Sequence, residues 1–237
     1  MRLPVLEAIR SRLVVSCQAY PGEPMRDPGI MTAVARAVVD GGAAAIRAQG
    51  LEDLHSIRAA VSLPLIGLVK RGDDGVFITP TCDDCVEVAR TGAEVVALDG
   101  TTRPRPDGST LRQCIETIHD QGALAMADCG SVADAVASIA AGADCIGTTL
   151  AGYTSDRPLT DGPDFDLLRD LVAMSSVPVL AEGRITTPRE AAVALQIGAH
   201  AVVVGSAITH PTSITRRFAT TVSDVARGEA NSPSSSL

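Results

Sequence analysis

The sequence predicts one domain with the fold of a (β/α)8 barrel, the TIM barrel, in its phosphate-binding form. The chain has 237 residues, which suits one barrel, and 46% of them are hydrophobic. Only 2% are aromatic, so Val, Ile, Leu and Ala must fill the core, as they do in parallel barrels. Eight short apolar segments also alternate with helical ones. This alternation favours a closed barrel over an open doubly wound sheet.

The eight segments are each too apolar to have one face in water, which is typical of parallel strands that helices cover. An N-terminal helical segment is expected before the first of them. The predicted strands are Leu13–Gln18, Ala43–Arg47, Leu65–Lys70, Glu94–Asp99, Ala123–Asp128, Asp144–Thr148, Val179–Glu182 and Ala201–Gly205. The barrel is expected to occupy residues 1–227, and the Asn-, Ser- and Pro-rich residues 228–237 to form a disordered tail.

Short motifs mark the expected junctions between helices and strands. A Gly-Ala pair marks five of them, because Gly suits the left-handed residue that ends many helices. These pairs lie at 42/43, 92/93, 122/123, 142/143 and 198/199. A Ser-X-Pro sequence marks two more, at 62–64 and 176–178, because proline can open a strand but cannot continue a helix. Helices are expected to be capped by Thr81, Ser131 and Thr187.

Charge and hydropathy argue against several classes of partner. A net charge of −8 argues against nucleic acid and against an anionic membrane surface, since both need a basic protein face. The chain has no run of about 18 apolar residues, and residues 1–13 carry charges where a signal peptide would be apolar. A cytoplasmic protein that acts on a small molecule is therefore expected.

The six cysteines are spread through segments that are predicted to be strands or helices. This distribution is typical of reduced, buried thiols rather than of a disulfide framework. Cys82 and Cys85 form a CxxC motif, but a structural zinc site needs four ligands and no second close pair follows. We interpret the motif as incidental, with a redox or metal role as the alternative, and we expect no metal site.

Arginine outnumbers lysine by 19 to 1, and the single lysine is Lys70. Because arginine is used almost everywhere that a surface cation is needed, Lys70 is expected where an amine must be able to lose its proton. The alternative interpretation is chance retention in a loop.

Polar residues stand at the carboxyl ends of seven predicted strands. In a barrel these ends converge on one face, where the catalytic residues of this fold lie. The residues are Gln18, Arg47, Lys70, Asp99, Asp128, Thr148 with Thr149, and Glu182. Loop polarity explains any one of them, but it is a poor explanation for all seven strands together.

Lys70 and Glu182 end the third and seventh predicted strands, which face each other across an eight-stranded barrel. An acid and a base on opposite faces of one carbon can remove a proton beside a carbonyl and return it from the other side. Arg47 can stabilise the enolate oxygen that forms. A lysine with a lowered pKa also suits Schiff-base chemistry, and the residues leave both mechanisms open.

The last two predicted strands are followed by small residues. Gly183 and Arg184 follow the seventh strand, and Gly205 and Ser206 lie at the end of the eighth. Glycines let backbone N–H groups approach an anion, and the loops after strands seven and eight frequently bind phosphate in this fold. The sequence therefore predicts a phosphate site at these two loops.

Several longer segments occur in a distinctive order. They are VSCQA (15–19) with GEP (22–24), IGLVKR (66–71), FITPT (77–81), ALD (97–99), MAD (126–128), TTLAGYT (148–154), AEGRI (181–185) and VGSAIT (204–209). Together they closely resemble the N-acylglucosamine-6-phosphate 2-epimerase family, also called the N-acetylmannosamine-6-phosphate 2-epimerase family. The resemblance extends over about residues 13–219.

The resemblance implies a barrel enzyme, without metal or cofactor, that interconverts N-acetylmannosamine 6-phosphate and N-acetylglucosamine 6-phosphate at C2 of the open-chain sugar. Such an enzyme serves sialic-acid or amino-sugar catabolism. The family's proton-transfer pair corresponds to Lys70 and Glu182. The resemblance assigns the opened sugar to Gln18, Arg47, Asp128, Thr149 and Tyr153, and the phosphate to Gly183, Arg184, Gly205 and Ser206. A homodimer is compatible with the composition of such a barrel.

The chain departs from the family pattern at two places. The family continues Ser-Ala-Ile-Thr with Arg-Pro, whereas His210 precedes Pro211 here. If that arginine contacts phosphate, the contact is weakened here or passes to Arg216 or Arg217. Residues 71–75 also differ from the family pattern, so the loop over the sugar is expected to differ.

Two other functions are consistent with the residues. One is an aldolase or related lyase in which Lys70 forms an imine with a phosphosugar. The other is a barrel that binds a phosphosugar without turnover. Borohydride trapping distinguishes the first from an epimerase, and exchange of the C2 proton with solvent distinguishes the second.

Overall fold

The computed structural model describes residues 3–227 and, within them, a closed barrel of eight strands. Every strand runs parallel to its two neighbours, and the strand order around the barrel is the chain order. The eighth strand pairs with the first and closes the barrel. The predicted (β/α)8 fold is therefore confirmed, and the open sheet is excluded.

The strands provide the inner wall of the barrel. They are β1 (Leu13–Cys17), β2 (Ala45–Gln49), β3 (Leu65–Leu68), β4 (Val95–Asp99), β5 (Leu124–Asp128), β6 (Cys145–Gly147), β7 (Val179–Glu182) and β8 (Ala201–Val204). Their carboxyl ends meet at one face of the barrel, where the predicted polar residues lie.

The helices form the outer layer. Within the described residues they are α1 (Leu3–Ile9), α2 (Pro28–Asp40), α3 (Leu51–Ala60), α4 (Cys82–Arg90), α5 (Leu111–Asp120), α6 (Val132–Ala141), α7 (Phe165–Met174), α8 (Pro188–Ile197), α9 (Ser206–Thr209) and α10 (Pro211–Ala226). Helices α2 to α8 each connect one strand to the next, and α9 and α10 follow β8. The predicted N-terminal helical segment is confirmed as α1.

The predicted strands are correct in number and order, but most of their ends differ by one or two residues. The second strand begins at Ala45 rather than at Ala43, because the N–H of Ala43 donates to the carbonyl of Val38 and thereby ends α2. The third strand ends at Leu68. Lys70 instead forms an antiparallel bridge with Ile78 of its own loop.

The sequence signals for helix ends are confirmed. Gly142 and Gly198 end α6 and α8 with φ values of 106° and 115°, which residues with a Cβ rarely adopt. Thr81, Ser131 and Thr187 each accept a hydrogen bond from a backbone N–H in the first turn of the helix that follows. These caps fix where α4, α6 and α8 begin, and so fix the loops that lead to them from the barrel.

The core consists of two aliphatic layers. One layer lies inside the barrel and includes Ile66 and Met126. Leu6 and Ile9 of α1 belong to the same cluster, so α1 covers the amino-terminal end of the barrel. The second layer lies between the strands and the outer helices. Because aliphatic side chains and α1 fill the rest of the interior, the polar residues are concentrated at the carboxyl end.

All six cysteines lie in the described part of the chain, and each is a free thiol, in agreement with the expectation from their distribution. Within residues 3–227, no helix has both the length and the apolar character needed to cross a bilayer. The tail predicted over residues 228–237 lies outside the described residues, so the boundary at residue 227 stays a prediction.

Candidate active site

A buried arginine joins two carboxylates at the carboxyl end of the barrel. Arg47 in β2 is 1% exposed, and Asp128 at the end of β5 is fully buried. Nη1 of Arg47 donates to Oδ1 of Asp128 over 3.1 Å, and Nη2 donates to Oδ2 over 2.5 Å. Nη1 also lies 3.0 Å from Oε2 of Glu182, the last residue of β7. The bidentate geometry fixes the plane of the guanidinium.

Two threonines after β6 fix the carboxylates in turn. The hydroxyl of Thr149 donates to Oδ1 of Asp128 over 2.7 Å and lies 3.3 Å from Oε2 of Glu182. The hydroxyl of Thr148 donates to the carbonyl of Glu182 over 2.7 Å and accepts from the N–H of Glu182 over 2.9 Å. Both the main chain and the carboxylate of Glu182 are therefore held in position.

The environment of Glu182 changes its protonation. Burial raises the pKa of Glu182 to about 7, although the Arg47 cation opposes the rise, and the Asp128 carboxylate adds to it. Only 12% of the side chain is exposed. A carboxyl group with this pKa is populated in both protonation states at neutral pH, which is the property that a general acid or base needs.

Lys70 has the opposite shift. It follows β3, which is four strands from β7 in the closed barrel and therefore faces it. Burial lowers the pKa of Lys70, and the Arg47 cation lowers it further, while the Glu182 and Asp128 carboxylates partly oppose the change. The lowered pKa agrees with the expectation that the single lysine of the sequence is an amine that loses its proton easily.

Lys70 and Glu182 are electrostatically coupled. Lys70 acts to lower the pKa of Glu182, and Glu182 acts to raise the pKa of Lys70. The net shifts move the two pKa values towards each other, since one starts at 10.5 and falls while the other starts at 4.5 and rises. Transfer of a proton between either side chain and a molecule bound between the two therefore costs less free energy than it would with an ordinary lysine and glutamate.

The end of β1 contributes Ser16 and Gln18. The amide of Gln18 donates to the hydroxyl of Ser16 over 2.8 Å. The hydroxyl of Thr209 in α9 donates to the carbonyl of Ser16 over 2.7 Å. A Cβ at Gly205 would lie only 3.2 Å from the Cβ of Ser16. The missing side chain at Gly205 thus lets the end of β8 pack closely against β1.

The loops after β7 and β8 carry the residues predicted to bind phosphate. Gly183 and Arg184 have φ values of 107° and 55°, so the chain turns sharply as it leaves β7. Gly205 precedes α9, whose first residue is Ser206. The first N–H groups of a helix have no intrahelical partner. Main-chain N–H groups from these two neighbouring loops can converge on one anion.

The guanidinium of Arg184 contacts the long loop after β6. Its Nε donates to the carbonyl of Gly162 over 2.9 Å, and Nη1 donates to the carbonyl of Ala151 over 2.7 Å. Nη2 donates to the hydroxyl of Thr160 over 3.0 Å. The guanidinium also lies 5.4 Å from the centre of the Tyr153 ring. The side chain braces the long loop after β6, which leaves the main chain of Arg184 as its means of contacting an anion.

Tyr20 is a site residue that sequence reasoning missed. Its ring lies under the Lys70 ammonium, with 4.8 Å between Nζ and the ring centre, a distance that allows a cation–π contact. Burial raises the pKa of the Tyr20 hydroxyl. The sequence contains only two tyrosines, Tyr20 and Tyr153, and both follow strands at this face. The placement of both tyrosines at this face was the sequence signal that could have identified Tyr20 as a candidate site residue.

His210 stands where the family pattern has arginine, and it connects two elements. The N–H of Ser213 donates to Nδ1 of His210 over 3.2 Å, so Nε2 carries the proton and donates to Oε1 of Glu23 over 2.5 Å. Oε2 of Glu23 accepts from the N–H of Tyr20 over 2.8 Å. His210 therefore caps α10 and ties it to the loop of Tyr20. Both arginines considered as replacements, Arg216 and Arg217, are exposed on α10.

Asp99 is the one polar strand end that serves its own loop. Its Oδ1 accepts from both the N–H and the hydroxyl of Thr101, and its Oδ2 accepts from Arg103 over 2.8 Å. Among the expected polar strand ends, Asp128 and Glu182 contact Arg47, whereas Asp99 stabilises the loop after β4.

The fold and site define a (β/α)8-barrel enzyme whose carboxyl end carries Glu182 and Lys70 beside the buried guanidinium of Arg47. Within residues 3–227, no group of three or more His, Cys, Asp or Glu side chains is arranged to hold a metal ion. The family described as "Putative N-acetylmannosamine-6-phosphate epimerase" matches residues 31–224. The chain belongs to this family.

Individual relatives agree with the family match. A protein of Cutibacterium acnes described as "Putative N-acetylmannosamine-6-phosphate 2-epimerase" is 53% identical, over 90% of this chain and 95% of its own length. One of Corynebacterium glutamicum with the same description is 49% identical, over 89% of this chain and 93% of its own. The solved N-acetylmannosamine-6-phosphate 2-epimerase of Clostridium perfringens superposes with a TM-score of 0.88 at 43% identity, covering 91% of this chain and 95% of that one.

More distant structures show the fold alone. A thiamine phosphate pyrophosphorylase of Pyrococcus furiosus is 18% identical and superposes with a TM-score of 0.58, covering 86% of this chain and 89% of its own. The barrel is therefore common to proteins of unlike chemistry, and function must be argued from the site.

Proposed function

We propose that this protein interconverts N-acetylmannosamine 6-phosphate and N-acetylglucosamine 6-phosphate by moving the proton at C2 of the open-chain sugar. The observation that carries the proposal is the pair of Lys70, just after β3, and Glu182, at the end of the opposite strand β7, with pKa values shifted towards each other. Family membership supports the choice of substrate. Epimerisation needs a base on one face of C2 and an acid on the other, and this arrangement offers both.

The chemistry starts from the aldehyde form of the sugar, in which C2 lies next to the C1 carbonyl. In one direction, the deprotonated group of the pair takes the C2 proton, and the electron pair of the broken C–H bond moves into an enolate. The protonated group of the pair then delivers its proton to the opposite face of C2. In the reverse direction the two groups exchange roles, which is easier because the pKa of Lys70 is lowered and that of Glu182 is raised.

Arg47 supplies positive charge near the developing enolate oxygen. Its guanidinium is held rigidly by Asp128, so stabilising the oxygen requires little reorganisation. Thr149 fixes the same carboxylate, and Gln18 lies at the end of β1 on the same face. We propose that these side chains, with Tyr153 at the rim, hold the opened sugar.

The phosphate is assigned to the loops after β7 and β8. We propose that main-chain N–H groups of Gly183, Arg184, Gly205 and Ser206 bind it, supported by the left-handed turn after β7 and the helix start after β8. The net charge of −8 makes such a local cradle necessary for an anionic substrate.

Proton NMR in deuterated water tests the reaction. With N-acetylmannosamine 6-phosphate as substrate, we expect N-acetylglucosamine 6-phosphate to appear and deuterium to enter C2. Binding without exchange at C2 would instead indicate a barrel that does not turn over. Cleavage of the sugar with trapping of Lys70 by borohydride would indicate the imine chemistry of a lyase, which the family membership does not favour.

We also propose that the protein is a homodimer in which α10 contacts a second copy. None of the 16 residues of α10, all of which are described, is buried. Phe218, Val222 and Val225 are 70%, 68% and 62% exposed, and their spacing puts them on one face of the helix. Large apolar side chains exposed together on one face are typical of an interface.

The barrel itself favours a second copy as the partner. A helix normally covers each strand of this fold, but only the four residues of α9 lie between β8 and the exposed α10. A two-fold contact lets α10 of each copy cover the other.

In light scattering we expect a dimer for the wild type, a monomer for Phe218→Asp, and a dimer for Thr220→Asp, which alters the opposite helix face. A monomeric wild type would contradict this assembly.

Finally, we propose that the enzyme acts in the cytoplasm. Six free thiols suit a reducing compartment. Fractionation of cells that produce the chain from its own gene tests the location, and recovery outside the cytoplasm would contradict it.

A further inference from the structure

Three thiols form a cluster between α4 and α5, on the outer layer of the barrel. Cys82 is the first residue of α4, Cys85 lies one turn later, and Cys114 lies on α5. Sγ of Cys82 is 3.4 Å from Sγ of Cys114, although the two residues are 32 positions apart. The CxxC motif of the sequence therefore has a third member that only the fold brings to it.

A surface cavity opens beside Cys82 and not beside Cys114. The cavity has a volume of about 500 Å³ and is lined by Cys82 and Ser109, together with the acidic side chains Asp107, Glu116 and Asp120. Cys82 is half-buried, whereas Cys114 is buried beneath it. A small reagent in the cavity meets Cys82 first.

Cys114 is prepared to act as the second thiol. Hydrogen bonding with the Cys85 side chain and with the Ser109 hydroxyl, which lies 3.3 Å from Sγ of Cys114, lowers the pKa of Cys114 to about 6. Arg105 lowers it further. A thiolate is the form of cysteine that attacks sulfur. Burial and the Cys114 side chain raise the pKa of Cys82, so attack by Cys82 should become faster as the pH rises.

We propose that Cys82 and Cys114 are a reversible disulfide-forming pair that reacts with small cationic disulfides. In the first step the thiolate of Cys82 attacks one sulfur of the small disulfide, and the other half leaves as a thiolate. In the second step the thiolate of Cys114 attacks Sγ of Cys82, and the second half leaves. The protein loses two thiol protons and two electrons, and the small disulfide is reduced to two thiols.

The geometry suits the second step. The sulfur atoms lie 3.4 Å apart, so they must approach by only about 1.4 Å to reach the disulfide bond length of about 2 Å. The preference for a cation follows from the three acidic side chains that line the cavity. A cavity lined by charges of one sign raises the local concentration of oppositely charged ligands. A reversible bond of this kind is typical of redox sensing in a reducing compartment.

The bond would also restrain the loop that carries Lys70. Cys82 follows that loop directly, and Arg105 donates a hydrogen bond to the carbonyl of Pro80 within it. Joining α4 to α5 closes a loop of 32 residues, which reduces the freedom of the unfolded chain. Oxidised protein is therefore expected to have a higher Tm than reduced protein.

Cystamine tests the proposal, with 2-hydroxyethyl disulfide as a neutral probe of nearly the same shape. After cystamine treatment and alkylation, we expect intact mass spectrometry to show the loss of two hydrogens and no retained cysteamine. Tryptic mapping should join peptide 72–90 to peptide 113–169, since the bond between Arg157 and Pro158 resists trypsin, and dithiothreitol should reverse the change. At low salt, cystamine should react severalfold faster than the neutral probe.

Variants separate the roles of the three thiols. Cys114→Ser should retain one cysteamine on Cys82, because no resolving thiol remains. Cys82→Ser should give no cross-link, and Cys85→Ser should still give one, which shows that the CxxC pair is not the site. Failure of the wild type to react, retention of cysteamine by the wild type, or a cross-link that requires Cys85 would each overturn the proposal. Equal rates for the two probes at low salt would overturn the charge preference.

Discussion

Arg47 and Asp128 form a bidentate ion pair inside the barrel, and the same guanidinium reaches Glu182. One buried cation is thus shared between two carboxylates. The negative charge of the Asp128 carboxylate acts to raise the pKa of Glu182. The protonation of Glu182 is therefore determined in part by a residue on another strand.

Replacing Asp128 by Asn removes this charge and keeps the shape. We expect the variant to lose about 3–5 kcal/mol of stability, because it breaks a buried ion pair. The pKa of Glu182 should also fall, since its like-charged neighbour is gone. Urea unfolding and the pH profile of C2 exchange measure the two effects. Asp166→Asn is the matched control, because its ion pair with Arg169 is exposed, and it should change stability by about 0–1 kcal/mol.

Glu182→Gln keeps the size of the side chain but cannot carry a proton to or from C2. We expect C2 exchange to fall roughly 10²- to 10⁴-fold, which is the contribution of a positioned acid or base. The circular dichroism spectrum should be unchanged. Glu87→Gln replaces an exposed glutamate and should exchange like the wild type. Near wild-type exchange by Glu182→Gln would remove this residue from the proton-transfer pair.

Lys70 can be tested with two substitutions. Lys70→Met removes the amine, whereas Lys70→Arg keeps a cation that does not deprotonate at accessible pH. If the amine transfers a proton, both variants lose C2 exchange by roughly 10²-fold or more. If Lys70 served only as a positive charge, Lys70→Arg would retain much of the activity, and deuterium incorporation distinguishes these outcomes.

The raised pKa of Glu182 makes stability depend on pH. The folded state holds this proton up to a pKa of about 7, whereas an ordinary glutamate releases it near 4.5. The stabilisation by the protonated group is therefore complete below about pH 4.5 and is lost as the pH rises through 7, with a difference of roughly 3 kcal/mol. Urea unfolding at intervals between pH 4.5 and 7.5 measures it. The slope should be flatter in Glu182→Gln, and an unchanged slope would argue against a raised pKa.

Arg184→Met should loosen the loop after β6. The substitution removes hydrogen bonds to Gly162, Ala151 and Thr160. Each hydrogen bond of a charged group contributes about 1.5–3 kcal/mol to the free energy of unfolding. We expect a lower Tm, and, if Tyr153 of this loop holds the opened sugar as proposed, a KM that rises more than kcat falls. Arg189→Met, an exposed arginine on α8, is the control. A fall in kcat alone would show that the guanidinium acts on the reaction itself.

Much of the fold was predictable because its signals are local. Gly142 and Gly198 end helices with a backbone conformation that glycine tolerates, and Thr187 caps the helix after it. The ends of strands were less predictable. Lys70 was expected to end β3, but it pairs with Ile78 across its own loop, and a pattern of apolar residues does not encode such a loop.

The candidate site was predicted as a set of positions and not as a set of contacts. Strand ends placed Arg47, Asp128 and Glu182 on one face, as the barrel confirms. The direction of the Arg184 guanidinium, the ring of Tyr20 beside Lys70 and the pairing of Cys82 with Cys114 were not predicted. Each depends on the course of a loop or on the packing of neighbouring helices.

The sequence by itself determined the eight-stranded alternation and the residues that stand at the carboxyl end, because apolar periodicity, glycine and caps act over a few neighbouring residues. Only the tertiary structure decided which charges meet. Arg47 and Asp128 are 81 residues apart, and their contact exists because the barrel closes. Closure also removes water from the site, and that burial gives Glu182 and Lys70 their altered pKa values.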